Sequence, residues 1–520
     1  MRIVDFFDAA TERFRDQCCL VHGDESWTYR EVQSLSRRAA KGWQSLGVGP
    51  GDRVIVWGPN DARTFLGMLS LQRAGAVLVP QNPRTAPRQV EDVALRFGCT
   101  SMLVHPAVAQ AAEATGGLES RMRHVVLTME DGTTRPSLGR WFESEDEDCA
   151  ELPVDRDRVV RISTTSGTTG KPKGILTTEL SHESMIANVL ASLRYDSPPV
   201  YLVAAPLSHV AGHLMMSHFV LGGTVVIIER ADPDAMIEAI RRHSVTTVFV
   251  PPTVLYRLLA DEGMKRENFA SMRYLLVAGA PAAPGKLGEA IERIGPKVAQ
   301  FYAQGEAPAM ISMMQPADYL RSDGTLDPGR LASCGRETQF VRTTVLDDAG
   351  AELASGQVGE IATLGNNLMI GYWEDGRLSS PERPNGWHRT GDIGYKDVEG
   401  FLYIVDRKKD MIISGGFNVF PAEVEAVLLG HPDVEECAVV GVPDQEWGEA
   451  VKAVVQCKPG ILVDEAQLAE QLITRCRAAL GPIKAPKSVE VWAEIPRSPV
   501  GKVLRREVRD RYWTRGSRIL

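Results

Sequence analysis

Along the chain, short runs of β-branched and aliphatic residues alternate with longer stretches whose apolar positions recur on a helical period. The N-terminal stretch MRIVDFFDAATERFRDQ has the helical period, and Val54–Trp57, Ala62–Ala74 and Ala76–Pro80 then read as strand, helix and strand. Further strands are predicted at Val159–Thr164, Tyr201–Ala205, Thr224–Ile228, Thr247–Val250 and Tyr274–Val277, with a helix over Glu179–Leu193. From about Gly356 the pattern changes to short strands with tight turns, and the acidic run Glu143–Asp148 reads as a solvated loop. The charged stretch Val405–Asp410 separates two β-like runs, Gly400–Ile404 and Met411–Ser414. Beyond it a helix starts at Pro421 and stops at Gly430, with a strand at Ala438–Val442. The expected fold is therefore α/β, with a large N-terminal region, 1–405, of several subdomains whose β-sheets are flanked by helices. A small α+β domain follows over 406–520.

Length and charge narrow the function classes. At 520 residues the chain has room for roughly three domains of ~150 residues. Its 44% hydrophobic and 24% charged residues exclude disordered and fibrous classes. A net charge of −9 argues against a nucleic-acid or anionic-membrane partner held by bulk charge, so any phosphate must be bound locally. Cys18, Cys19, Cys99, Cys149, Cys334, Cys437, Cys457 and Cys476 form no CxxC pair and read as reduced, mostly packed thiols. The N-terminal stretch lacks the apolar core and cleavage site of a signal peptide, and no run approaches the ~20 apolar residues of a membrane span. A cytoplasmic enzyme is expected.

Chemistry concentrates first in Thr164-Thr165-Ser166-Gly167-Thr168-Thr169-Gly170-Lys171-Pro172-Lys173-Gly174, between a strand-like run and the helical stretch Glu179–Leu193. Glycines let the backbone turn N–H groups toward an anion, hydroxyls add donors, and two lysines offset charge, which describes a polyphosphate cradle. It is not a Walker A loop. That motif needs glycine where Thr165 stands and Ser or Thr after the lysine, whereas Pro172 follows Lys171. A flexible Gly/Ser/Thr surface loop is the alternative reading on composition alone.

Downstream come Pro206-Leu207-Ser208-His209 with Gly212, Gly279-Ala280-Pro281, Gln300-Phe301-Tyr302 with Glu306, and Trp387 with Thr390-Gly391-Asp392. Asp406-Arg407-Lys408-Lys409-Asp410, then Gly415 to Glu425, then Pro496 with Gly501-Lys502 and Arg505 complete the series. In these motifs and their order the chain resembles the adenylate-forming superfamily, which includes acyl-CoA synthetases, peptide-synthetase adenylation domains and firefly luciferase. The resemblance implies two half-reactions. A carboxylate attacks the α-phosphorus of ATP to give acyl-adenylate and pyrophosphate, and a thiol then takes the acyl group. Both steps bring like charges together, so a lysine, a metal and backbone donors are the appropriate tools.

Residue by residue, the resemblance gives the ATP phosphates to Thr165, Ser166, Gly167, Thr168, Thr169, Gly170, Lys171 and Lys173. It makes Lys502 the adenylating lysine, whose ammonium bridges the carboxylate and an α-phosphate oxygen, and Glu306 the carboxylate that helps hold magnesium. Tyr302 and Gly279-Ala280-Pro281 match the two surfaces around adenine, and Asp392 and Arg407 match the ribose-binding positions. His209 matches the wall between acyl pocket and thiol tunnel, and Ala303, Gln304 and Gly305 border the acyl site. Asp406 matches the hinge about which a mobile C-terminal domain rotates, so that Lys502 serves the first step and another face of that domain the second. Gly415 and Gly416 would let a pantetheine arm pass close to backbone, and Trp447 is read either as a stacking partner for the CoA adenine or as a packed core tryptophan.

Isolated from these motifs, the same residues read more plainly as exposed lysine, surface ion-pair partners and core tyrosine. His209 and His213 stand four apart, yet no glutamate follows His209 and no third ligand is visible, so they are not read as a metal site. Two positions depart from the family pattern: Ala303 stands where glycine is usual, and Gly305 where threonine is usual. Loss of one hydroxyl donor worth ~1.5 kcal/mol would slow adenylation ~10-fold, which keeps a degenerate nucleotide- or acyl-binding protein as an alternative. The region Ser208-His209-Val210-Ala211-Gly212 lacks the aspartate with which peptide-synthetase domains of the same superfamily usually hold an amino acid's amine, so the resemblance implies an apolar fatty, aryl or alicyclic acid instead. The resulting expectation is a magnesium-dependent, ATP-using carboxylic acid–CoA ligase of fatty-acid-type metabolism. Transfer to a free-standing carrier protein and a homodimeric state stay open, and a luciferase-like oxidation is not demanded by any residue.

Overall fold

The computed structural model describes residues 1–113, 117–166, 172–374, 376–445, 447–461, 463–497 and 503–513. By packing, the chain divides into a first unit, Met1–Thr343 with Thr363–His388, and a second, Thr344–Ala362 with Arg389–Leu520.

The first unit holds two large sheets among helices. One has nine strands, in the order Arg336–Glu337, Ser312–Met314, Val298–Tyr302, Tyr274–Val277, Thr247–Val250, Val200–Val203, Thr224–Ile227, Cys18–His22 and Glu25–Thr28. Its six members from Val298–Tyr302 to Cys18–His22 run parallel, so their C-terminal ends share one edge, where ligands of such sheets bind. The other sheet has eight strands, in the order Arg377–Ser379, Gly371–Glu374, Pro172–Thr178, Val159–Ser166, Val77–Gln81, Arg53–Trp57, Ser101–Val104 and His124–Leu127.

Local chemistry accounts for the elements that match the sequence pattern. Helix Ala62–Ala74 starts where the Asp61 carboxylate accepts from the N–H groups of Arg63 and Thr64, and stops at Gly75, whose φ of +82° few other residues adopt. Helix Ile3–Phe14 buries Ile3, Val4, Phe7 and Ala10, the apolar stripe of the N-terminal pattern.

Three features differ from the sequence expectation. Residues Pro172–Thr178 form a strand antiparallel to Val159–Ser166, so a hairpin, rather than a loop alone, precedes helix Glu179–Ser192. Within it Gly174 serves packing, because a Cβ there would lie 2.6 Å from the Ile162 side chain and 3.0 Å from the Phe97 ring. The acidic run is tied down rather than merely solvated: Glu147 accepts from Ser34 and Arg38 of helix Tyr29–Ser45, and Asp146 pairs with Lys41. The strand Leu402–Arg407 carries its pattern through Asp406 and Arg407, since both charges find opposite partners.

The second unit contains a four-stranded sheet in the order Val341–Leu346, Gly359–Gly365, His388–Lys396 and Leu402–Arg407, whose residues from 344, to 362, from 389 and throughout respectively belong to it. A second sheet runs in the order Phe417–Val419, Ile412–Ser414, Gly448–Cys457 and Val434–Asp444, with Ser488–Val491 also paired to Gly448–Cys457. Helices Pro421–Leu429 and Glu465–Lys484 cover it through Val424, Leu428, Leu468, Leu472 and Cys476. Every cysteine is a free thiol, six of them buried. Among the described residues no helix is long and apolar enough to cross a membrane.

Backbone strain marks the turn after Val298–Tyr302. Ala309 and Met310, both buried, have φ of +42° and +68°, a region unfavourable to side chains. The fully buried Asn188 amide holds this turn by donating to the Met310 carbonyl and the Thr338 hydroxyl, each at 2.8 Å. Asn188→Ala should therefore lower stability by ~1–3 kcal/mol, read as an earlier urea midpoint for the first unit. An unchanged midpoint would show that the turn holds itself.

Candidate active site

In the first unit, the hairpin brings the two ends of the predicted phosphate cradle together: Thr164 pairs with Gly174, Thr165 with Lys173 and Ser166 with Pro172. Gly167, Thr168, Thr169, Gly170 and Lys171 lie outside the described residues. The Lys173 ammonium lies 2.5 Å from the Glu374 carboxylate and 5.5 Å from the centre of the Tyr372 ring. Tyr372 in turn donates its hydroxyl to Glu306 at 3.0 Å.

The two candidate adenine surfaces leave neighbouring strands. Gly279-Ala280-Pro281 follows Tyr274–Val277, Tyr302 ends Val298–Tyr302, and Val277 is in register with Gln300. Gly279 has φ of +92° with no atom within 4 Å of where a Cβ would stand, so its conformation, not crowding, calls for glycine. Ala303, Gln304 and Gly305 form the turn between Tyr302 and Glu306. Gln304 and Ala307 exchange backbone hydrogen bonds, Ala303 packs on the core, and Gly305 is exposed.

His209 stands at the same sheet edge, after Val200–Val203, as the exposed residue preceding helix Val210–Val220. Its Nδ1 lies 2.8 Å from the Ser208 hydroxyl. Gly212 lets this turn close, because a Cβ there would fall 2.1 Å from the Leu207 carbonyl oxygen. Behind the turn, Arg161 donates to the Ser208 carbonyl and to the Ser163 hydroxyl. Arg161 is buried without a carboxylate partner among the described residues, and burial pulls its pKa down to about 10. Burial, with Arg161 as the second cause, also lowers His182 to about 3, so that histidine is neutral at physiological pH. His213 sits 5.6 Å from His182 in edge-to-face contact, and burial holds it well below the usual histidine range. His218 is a packed core residue, stacked on Tyr201 at 4.3 Å.

In the second unit, Asp392 and Arg407 are direct cross-strand partners, with Arg407 Nε 3.3 Å from the Asp392 carboxylate. The aspartate is buried while the arginine is half exposed, so the pair presents donors beside an anchored acceptor. Gly415 and Gly416, with φ of +57° and +80°, make the two-residue turn between Ile412–Ser414 and Phe417–Val419. Trp447 covers Gly415, where a Cβ would meet its ring at 2.5 Å, and the Lys487 ammonium lies 4.8 Å from that ring. The three residues predicted for CoA thus form one patch.

Asp406 is fixed from three directions. It accepts from Arg505 at 3.1 Å, from the Ala422 N–H at 2.6 Å and from the Arg407 N–H at 2.7 Å. Arg505 also grips Glu425. Burial raises the carboxyls of Asp406 and Glu425 against the pull of Arg505. Lys502 lies outside the described residues, though Arg497 and Val503 on either side of its segment form an antiparallel bridge.

Sequence reasoning missed Tyr372, Glu374 and Arg161. An arginine inside the apolar run Val159-Val160-Arg161-Ile162 was the available signal for Arg161, while nothing in the local pattern marks Tyr372 or Glu374. Because Arg505 compensates two buried carboxylates, Arg505→Ala should destabilise the second unit by ~3–5 kcal/mol in denaturant titration, with Arg505→Lys recovering part of the loss. Equal stability of Arg505→Ala and the parent would show the carboxylates to be solvated instead.

Comparison with known proteins covers nearly the whole chain. The family model for AMP-binding enzymes matches residues 7–373, and that for the AMP-binding enzyme C-terminal domain matches 423–502. The chain is 31% identical to the medium/long-chain-fatty-acid–CoA ligase FadD8 of Mycobacterium tuberculosis, over 98% of this chain and 90% of that protein. It is 35% identical to a feruloyl-CoA synthase of an Amycolatopsis species, over 94% of this chain and 95% of that one. Among solved structures, the amide bond synthetase McbA of Marinactinospora thermotolerans superposes with a TM-score of 0.86 at 28% identity, over 99% of this chain and 100% of that one.

Proposed function

The chain belongs to the AMP-binding enzyme family, and from that premise we propose how its residues divide the work of an AMP-forming carboxylic acid–CoA ligase. A carboxylate oxygen attacks the α-phosphorus of ATP, the bond from that phosphorus to the bridging oxygen breaks, and pyrophosphate leaves. The CoA thiol then loses its proton and attacks the acyl carbonyl, and AMP departs. What supports this reading most is that Tyr302 closes, and Glu306, Gly279 and His209 follow, the C-terminal ends of parallel strands in one sheet, where such a fold binds nucleotides.

On this reading Tyr302 and Gly279-Ala280-Pro281 hold adenine, Asp392 accepts from a ribose hydroxyl, and Arg407 donates to it. The segment from Thr165 to Lys171, with Lys173, holds the phosphates. Lys502 bridges the carboxylate and the α-phosphate, offsetting the repulsion between two anions. His209 walls the acyl site from the thiol's approach, which Gly415, Gly416 and Trp447 line. Asp406, which lies inside the second unit, is the hinge about which residues 406–520 rotate. Magnesium, when bound, offsets phosphate charge. Glu306 fits it, because a magnesium ion that keeps phosphate and water ligands needs only one or two carboxylates. Among the described residues there is no cluster of three acidic, histidine or cysteine ligands that would form a dedicated cage. The acid is read as fatty, aryl or alicyclic: the Ala303 turn packs on a core cluster containing Ala211, Met215 and Phe301, and the relatives named above carry fatty-acid and feruloyl names. Free thiols, with ATP and CoA as co-substrates, support a cytoplasmic setting.

The test is ATP–pyrophosphate exchange across a panel of fatty, aryl and alicyclic acids, followed by CoA addition. Exchange should depend on the acid and be followed by acyl-CoA. Lys502→Ala should lose exchange while still transferring acyl from supplied acyl-adenylate to CoA. Absence of exchange with every acid would favour the degenerate alternative, and equal loss of both half-reactions in Lys502→Ala would overturn its assigned role.

A further inference from the structure

Two residues proposed to meet the ATP polyphosphate, the anion Glu306 and the cation Lys173, are both held by a single short strand, Gly371–Glu374. Tyr372 and Glu374 are two apart, so they project to the same face, and that face carries both contacts: hydroxyl to Glu306 at 3.0 Å, carboxylate to Lys173 at 2.5 Å. The intervening residue points the other way and anchors the strand. Trp373 packs on the core of the eight-stranded sheet, donates its indole N–H to the Arg96 carbonyl at 3.2 Å, and lies under the Arg53 guanidinium at 3.9 Å. Pairing with Pro172–Thr178 sets Tyr372 opposite Ile175 and Trp373 opposite Gly174, beside Lys173. A further backbone bond, from the Met369 N–H to the Glu306 carbonyl at 2.8 Å, ties the approach to the strand to the glutamate itself.

The two contacts differ in kind. Tyr372 occupies one oxygen of Glu306 with a neutral donor, which fixes the carboxylate's orientation and leaves its other oxygen available to a cation. Glu374 places a full negative charge on Lys173, and the two side chains are 36% and 31% exposed, so water and a competing anion can reach the pair. A polyphosphate arriving at Lys173 competes with that carboxylate.

We propose that Gly371–Glu374 is the positioning strand of the polyphosphate site, in which Tyr372 orients Glu306 for the cation and Glu374 holds Lys173 until the polyphosphate of MgATP replaces it. The two residues thus act on nucleotide binding in opposite directions. The inference rests on the assignment of Lys173 and Glu306 to MgATP made above.

Titration calorimetry of the full chain with MgATP, pyrophosphate and AMP, in the absence of acid and CoA, tests it. Glu374→Gln, which removes the competing charge, should tighten MgATP and pyrophosphate binding about 2–5-fold and leave AMP unchanged. Tyr372→Phe, which keeps the ring, should weaken MgATP about 3–10-fold, raise the magnesium concentration needed for half-saturation, and leave AMP unchanged. Lys173→Ala separates the two levels of the argument. If it weakens MgATP while Glu374→Gln and Tyr372→Phe change nothing, change AMP equally, or shift MgATP in the same direction, the positioning role is overturned alone. If Lys173→Ala leaves MgATP binding intact, the phosphate assignment fails and this inference with it.

Discussion

A carboxylate nucleophile and a polyphosphate repel each other, and the cations that relieve that repulsion are themselves costly to leave unpaired. Three described cations, one in the first unit and two in the second, rest on carboxylates. Lys173 lies on Glu374, Arg407 on Asp392, and Arg505 on Asp406 and Glu425. These pairings grade with exposure. The Lys173 and Arg407 pairs reach solvent on the cation side and suit exchange with a ligand, whereas the Arg505 network is largely buried and suits permanence. Arg161 is the exception, a buried guanidinium held by a carbonyl and a hydroxyl beside the His209 turn.

Geometry comes from the parallel sheet. Its strands deliver the turns bearing His209, Gly279 and Tyr302 to one edge, and the residues that shape those turns are not themselves chemical. Gly212 allows the backbone to pass the Leu207 carbonyl, and Asn188 holds the left-handed Ala309 and Met310 behind the Glu306 turn. Rigid positioning of polar groups by strand ends and buried amides is what allows a site to present charge without reorganising at the moment of reaction.

Much of this was legible in the residues. The α/β rhythm, helix Ala62–Ala74 and strands Thr247–Val250 and Tyr274–Val277 follow from periodicity, because each is bounded by its own cap or turn. Candidate site residues such as Thr165, Lys173 and Asp392 were proposed because they lie in dense local motifs. What escaped depends on distance along the chain. Tyr372 meets Glu306 across 66 positions and Arg505 meets Asp406 across 99, and neither partner carries a local signature of the other. The strand Pro172–Thr178 was hidden by Pro172, Lys173 and Gly174, which read as turn residues until paired with Thr164 to Ser166.

On this reading the carboxylate attacks the α-phosphorus, pyrophosphate leaves, and the acyl group stays on AMP as an acyl-adenylate. Supplying an acid that supports exchange, labelled with oxygen-18 in its carboxylate, together with ATP and CoA, follows that bond directly. A labelled oxygen is expected in AMP and none in pyrophosphate. Label in inorganic phosphate or pyrophosphate, with AMP unlabelled, would mean attack at another phosphorus and would rule out the acyl-adenylate.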